Sequence, residues 1–250
     1  MSGHSKWSQI KRQKGANDAK RGAVFTKIGR EITIAAREGG SDPDANYRLR
    51  LAVDKARSVN MPADNIKRAI ERAAGGSAAE QYEEIIYEGY GPGGVALLVE
   101  AATDNRNRTV ADVRSLFTRN GGQLAGAGAV AWQFEPRGVI AMSSDGRDAD
   151  ELALMAIDAG ADDVDTEGDP IEVLTVPGNL ETLRRALEDA GATIESAELT
   201  MQPTTPIDVD VHVARQNLHL IEVLEELDDV QRVTANFNLP AEVLAEAATA

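Results

Sequence analysis

Several stretches of this 250-residue chain have residue types and spacings that could do chemistry. The first is the opening arm, SGHSKWSQIKRQKGANDAKRG, in which Lys6, Lys11, Arg12, Lys14, Lys20 and Arg21 stand against one acid, Asp18. Cations at that density can hold phosphates, and Trp7 beside Lys6 can stack on an exposed base. The same arm read without a partner is a solvated, polar terminus. The second stretch is TDNRNRT at 103–109. Asp104 or Asn105 can cap a following helix, which leaves Arg106 and Arg108 in its first turn, where the dipole disfavours cations. Two readings stay open there: a phosphate contact using arginines and helix N-terminus together, or an ion pair with acids of the same protein.

Other patterns carry less. GYGPGG at 89–94 spells G-x-G-x-x-G after a strand pattern, but a dinucleotide site needs a helix next. Here the alternating run Val95 to Val99 follows, so a hairpin is predicted. DVDTEGD begins like a calcium loop, yet Leu174 stands where the twelfth-position Glu should be, and no metal site is expected. His4, His212 and His219 have no neighbouring nucleophile motif, so no catalytic triad is read. No cofactor is expected.

The elements that must position these groups follow from periodicity and charge. Formal net charge is −15, but it is segregated. Residues 1–72 hold 16 Lys+Arg and 8 Asp+Glu, a net of +8, while residues 73–250 carry −23 and no lysine. That asymmetry predicts a basic part that meets a polyanion and an acidic body that stays soluble or meets something basic. The absence of cysteine excludes disulfides, thiolate zinc sites and cysteine nucleophiles and suits a reducing cytoplasm. Without an apolar run of about 18 residues, no membrane span is expected. The first twenty residues lack a signal-peptide core, and Asp18 with the Gln/Asn/Gly content fits a mitochondrial presequence poorly.

A helix is predicted at 18–37, with Phe25, Ile28, Ile32 and Ala35 on one side and Lys20, Lys27, Arg30 and Arg37 opposite. Asp42 and Pro43 predict the start of a second helix, and Pro62 opens a third. Strands follow at YEEIIYE, VALLVEA and 130–135, with a helix at 106–119 between the last two. Residues 137–201 read as βαββαβ, the ferredoxin-like split motif. A helix near 212–228 and a strand at 230–237 are expected to return to the middle strands. The alternating IDVDVHV conflicts with a linker or helix start at that point. The fold class expected is therefore α+β: a basic helical domain with its arm at 1–76, a discontinuous α+β domain at 80–135 plus 204–238, and an inserted ferredoxin-like domain at 136–203.

MSGHSKWSQIKRQKGANDAKRGAVFTKIGREI, NMPADNIKRAIERA, YEGYGPGGVALLVEAATDNRNRT and LEELDDVQRVTANF closely resemble the YebC-like family. The likeness runs from residue 2 to about 238; the tail NLPAEVLAEAATA and IDVDVHV depart from it. It implies a helical N-terminal domain plus two α+β domains and no catalytic site. Bacterial members are named probable transcriptional regulatory proteins, and mitochondrial relatives are translational activators.

Residues and resemblance together predict a cytoplasmic, non-enzymatic nucleic-acid-binding regulator of gene expression. Its partner is DNA or ribosomal RNA, with the ribosome as a possible platform and no membrane. The contacts expected are Lys6, Trp7, Lys11, Arg12, Lys14, Lys20, Arg21, Lys27, Arg30, Arg106 and Arg108. The alternatives are a protein-binding adaptor and a metal-dependent nuclease using the carboxylates of 145–172, which are spread along a face rather than convergent.

Overall fold

The computed structural model describes residues 18–74 and 82–249. Lys6, Trp7, Lys11, Arg12 and Lys14, and the side chain of Lys20, lie outside the described parts. The elements run α1 (Asp18–Gly39), α2 (Tyr47–Ser58), α3 (Ala63–Ala74), β1 (Glu83–Tyr90), β2 (Ala96–Thr103), α4 (Arg106–Arg119), β3 (Gln123–Leu124) and β4 (Phe134–Ser143). They continue with α5 (Ala149–Asp158), β5 (Asp163–Asp165), β6 (Ile171–Thr175), α6 (Leu180–Asp189) and β7 (Thr193–Pro203). The chain closes with β8 (Ile207–Asp208), α7 (Val211–Glu225), β9 (Val230–Ala235), β10 (Phe237–Asn238) and α8 (Ala241–Thr249). The protein is α+β, with a helical N-terminal region followed by sheet-containing parts.

α1 ends where Gly40 takes φ +92°, a conformation that favours glycine. α2 starts later than the Asp42–Pro43 signal. Asp42 makes a turn, its Oδ1 accepting from Asp44 N at 3.0 Å. Asn46 is the cap: its Oδ1 accepts from Leu49 N at 3.1 Å while its Nδ2 donates to the Ala35 carbonyl at 2.7 Å. One buried amide thus serves two helix ends, which exposed Asp42 cannot do.

Two compact units result. Among the described residues, one comprises 18–34, 82–135 and 202–249. Its sheet has the order β3-β1-β2-β9. β1 and β2 form the expected antiparallel hairpin, in register from Glu83↔Thr103 to Tyr90↔Ala96. GYGPGG is its turn: Gly91 N donates to Val95 O at 2.8 Å. A Cβ on Gly91 would lie 2.0 Å from Asn217 Oδ1, so the glycine is needed for close packing rather than for a pyrophosphate. β9 returns to pair antiparallel with β2, from Leu97↔Ala235 to Ala101↔Val230. Leu97, Val99, Phe117, Leu220, Ile221 and Phe237 fill the core between sheet and helices.

IDVDVHV proves to be both of its readings. Ile207 and Asp208 pair in parallel with Phe237 and Asn238, and Asp210 then caps α7, accepting from Val213 N at 2.8 Å. The tail also belongs to this unit: α8 buries Val243 in the same core, so the folded part extends beyond residue 238.

The other unit comprises Ala35–Ala74 and Pro136–Met201. Its sheet order, β5-β6-β4-β7, is the ferredoxin-like one, with β6 antiparallel to both β4 and β5. The separate strands expected at 130–135 and 137–143 are instead one, β4, preceded by a single 3-10 turn at Ala131–Gln133. Pro136 does not break it, because the ladder to β6 begins only at Gly138. The core is built from Ile140, Met142, Leu152, Val173, Leu180 and Leu187, and Tyr47 and Leu51 of α2 pack on its margin.

We propose that the three sequence-defined parts remain the folding units, with residues 35–74 docked on a core that 136–203 completes by itself. A fragment spanning residues 80–250 should then melt cooperatively, and limited proteolysis of the whole chain should cut first in the arm and near 76–80. Loss of near-ultraviolet circular dichroism in the fragment would show that α2 and α3 are part of that core.

Candidate nucleic-acid interface

α1 presents Ile28 and Ile32 to the core, 3% and 0% exposed. On its other side, the helical wheel predicts an outward basic row. Lys27 and Arg30 instead meet the protein's own acceptors. Lys27 Nζ donates to the carbonyl of Glu225 at the C-terminal end of α7, where the helix dipole favours a cation. Arg30 Nη1 donates to Asp229 Oδ1 at 2.8 Å and to the Ala102 carbonyl at 3.3 Å. Its guanidinium also lies 5.3 Å from the centroid of the Tyr82 ring.

Asp229 is the centre of this arrangement. Its side chain is 8% exposed, and its second oxygen accepts from Arg108 Nη2 at 2.6 Å, Thr109 Oγ1 at 2.7 Å and Thr103 Oγ1 at 3.2 Å. Burial pushes its carboxyl up, but the hydrogen bonds from Arg108 and Thr109 and the charges of Arg30 and Arg108 outweigh that and hold it below the ordinary aspartate value. A shallow cleft beside it is lined by Arg30, Asp104, Arg108, Asp112, Asp228 and Asp229.

The local chain explains why Arg108 reaches Asp229. Asn105 caps α4 with φ −146° and ψ 90°, its Oδ1 accepting from Arg108 N at 3.1 Å. Thr103 Oγ1 accepts from Asn105 N at 2.9 Å and lies 2.8 Å from Thr109 Oγ1, closing the first turn over the carboxylate. Arg108 also pairs with Asp104 at 2.8 Å. Of the two readings of TDNRNRT, Arg108 therefore has the ion pair in this structure, whereas Arg106 is exposed. Arg21 is exposed too, with interactions of its own.

The structure thus brings Lys27, Arg30 and Arg108 together with α7, β9 and α4, and it leaves Arg106 outside that cluster. Sequence reasoning missed Asp229. Its only signal is the pair Asp228-Asp229 in the turn before β9, and nothing local says which of the two is buried. Arg108→Ala is expected to lower stability by about 1 kcal/mol, since Asp229 keeps its other donors. Arg106→Ala should leave urea unfolding unchanged. Equal effects of the two substitutions would remove the distinction.

A second carboxylate has a purely organising role. Glu88 is 6% exposed and accepts backbone N–H groups from Gly128, Val130 and Ala131 at 2.5, 2.6 and 2.8 Å. Burial pushes its carboxyl up, and those amides with Ala129 pull it below the ordinary glutamate value. This shapes the glycine-rich loop that carries Trp132, whose indole is exposed. Among the described residues, no group of three or more His, Asp or Glu side chains is placed to hold a metal ion. No described helix is long and apolar enough to cross a membrane.

A helical N-terminal region, a four-stranded sheet closed by a returning strand and a ferredoxin-like sheet together define a class of multidomain α+β protein. The chain belongs to the TACO1/YebC family. The family's N-terminal domain matches residues 5–76, and its second and third domains match residues 82–237. The chain is 55% identical over 249 residues to a protein of Rubrobacter xylanophilus named probable transcriptional regulatory protein, covering 99% of this chain and 100% of that one. It is 54% identical over 247 residues to a protein of the same name from Chloroflexus aggregans, covering 98% of each. The crystal structure of a conserved hypothetical protein from Aquifex aeolicus is similar, with a TM-score of 0.85 and 46% identity over 91% of this chain and 94% of that one.

Proposed function

We propose that this protein is a non-enzymatic regulator of gene expression that binds nucleic acid through its basic arm. The observation that carries the reading is charge segregation: net +8 in residues 1–72 on a chain whose remainder is −23. A body of that sign is repelled by phosphate, so affinity must come from where the sign reverses. The names of the Rubrobacter and Chloroflexus relatives support the regulatory role.

In this reading Lys6, Lys11, Arg12, Lys14, Lys20 and Arg21 contact phosphates and Trp7 stacks on a base. Lys27, Arg30 and Arg108 anchor the arm-bearing helix, and Arg106 adds a phosphate contact from the body. The target is DNA, as the relatives' names suggest, or ribosomal RNA in a cytoplasmic translational activator. A basic arm that adapts to its partner suits folded RNA, and an acidic body suits basic ribosomal proteins. Crosslinking in cells followed by sequencing of the bound nucleic acid tests it. Promoter DNA or ribosomal RNA would identify the target. Recovery of neither, with protein partners that survive RNase and DNase, would replace this reading with an adaptor.

A further inference from the structure

The acidic body, residues 73–250, contains ten arginines and 33 acids. With acids in such excess, each arginine has carboxylates to choose from. Arg108, Arg137, Arg147, Arg184, Arg185 and Arg215 all take one, and Arg232 is engaged as well. Among the described residues of this acidic body, Arg106, Arg114 and Arg119 have an exposed guanidinium with no ion pair and no hydrogen bond. All three lie on one element, α4.

The fold holds them there. α4 buries Val113 and Phe117 completely, which fixes its rotation. The face so turned outward carries Arg114, Ser115, Thr118 and Arg119 around a shallow depression. Only one acid, Asp112, occurs among the 14 residues of the helix. Arg114 and Arg119 are separated by about 7.5 Å along the helix axis at 1.5 Å per residue, while Arg106 starts the helix on the side of Val113 and Phe117. Arg114 and Arg119 make a positive pair on the outward face of a part that otherwise carries acids in excess.

We propose that the exposed face of α4 is a second nucleic-acid contact, in which Arg114 and Arg119 grip backbone phosphates. Guanidinium groups suit this, because their fork donates two hydrogen bonds to one phosphate. The side-chain hydroxyl of Ser115 lies on the same face and can donate to the same backbone, whereas that of Thr118 donates to the Arg114 carbonyl at 2.9 Å. The inference rests on the nucleic-acid reading above and adds Arg114 and Arg119, two residues that sequence reasoning did not single out. It makes binding bipartite: the arm supplies most of the cations, and α4 fixes where the bound strand crosses the body.

The test uses the full-length chain and fluorescence anisotropy at several salt concentrations, with a labelled single-stranded RNA and a labelled DNA duplex of the same sequence. The variant is Arg114→Gln with Arg119→Gln. The control is Arg147→Gln with Arg185→Gln, which removes the same charge from arginines already paired on the surface. Thermal melting should match wild type for the α4 variant, because neither side chain has a partner to lose. Binding should weaken, and the log–log salt slope should fall by about 1.4 on single-stranded RNA or about 1.8 on duplex DNA for two lost phosphate contacts. The probe that shows the change identifies the source of the phosphates. The inference is overturned if the α4 variant and the control shift the slope equally on both probes. If the α4 variant loses binding while charge reversal in the arm does not, the arm reading fails and this one stands. If the arm reversal alone matters, the opposite holds, and a wild-type chain that binds neither probe overturns both.

Discussion

Replacing Lys11, Arg12, Lys14, Lys20 and Arg21 together by Glu should abolish binding of the protein to RNA and DNA. Each cation that contacts a phosphate releases about 0.7–0.9 counterions, so losing five contacts lowers the log–log salt slope by about 3.5–4.5. Reversal also turns a net +8 region into one that repels phosphate, like the −23 remainder. Arg147→Glu with Arg185→Glu should change binding little, because those arginines already serve Glu151 and Glu181. Arg184 is a poorer control, since it is 19% exposed and held between Glu181 and Glu188. Trp7→Ala should cost about 1–3 kcal/mol of affinity and leave the slope unchanged, because stacking releases no counterions. Filter binding across a salt series measures all of these. If the five-fold reversal binds as wild type does, the arm is only a solvated terminus and the affinity lies elsewhere.

The second large effect is expected at Asp229. Its removal leaves Arg30, whose side chain is 13% exposed, without its carboxylate, and takes one acceptor from Thr103 and from Thr109, of which Thr109 keeps the Asn105 carbonyl. Breaking a buried pair from one side costs about 3–5 kcal/mol. Arg108 is 46% exposed and keeps Asp104, so the lower end, about 3 kcal/mol, is expected for Asp229→Ala. For a chain of this size that is a fall of about 6–12 °C in Tm. Asp229→Asn should cost less at neutral pH, since the amide oxygen still accepts.

The pH dependence of this effect has a definite sign. The folded carboxyl of Asp229 is held below its unfolded value. Its contribution is therefore fully present above the unfolded value of about 3.9 and is lost as pH falls through the lower folded value. The stability gap between wild type and Asp229→Asn should be constant from neutral pH down to about pH 4 and close below it. Urea unfolding at a series of pH values reads this directly. A gap that stays open at the acid end would mean that shape at this site, not charge, is what stabilises.

Much of the fold was legible because its signals are local. The period of Ile28 and Ile32, the Pro92-containing turn and the βαββαβ order each lie within a few turns or strands, and the structure has all three. The misplacements were also local competitions. Asp42 looked like a cap, but the buried amide of Asn46 satisfies two helices at once. The strand patterns at 130–135 and 137–143 looked separate, but they merge in β4, where Pro136 stands before the ladder to β6 begins.

Charge was legible in total and illegible in detail. Net charge sums over residues whatever their positions, so the sequence alone establishes that a basic opening precedes an acidic body and that residues 73–250 hold no lysine. Which cation stays available for a partner depends on which acid comes near it. Arg108 meets Asp229 across 121 residues and Arg30 meets the same carboxylate across 199. Only the return of β9 to β2 brings those groups together, and only the burial of Val113 and Phe117 turns Arg114 and Arg119 outward. Ion pairing falls off over a few ångströms, so it is decided by tertiary neighbours and leaves no trace in the spacing of residues along the chain.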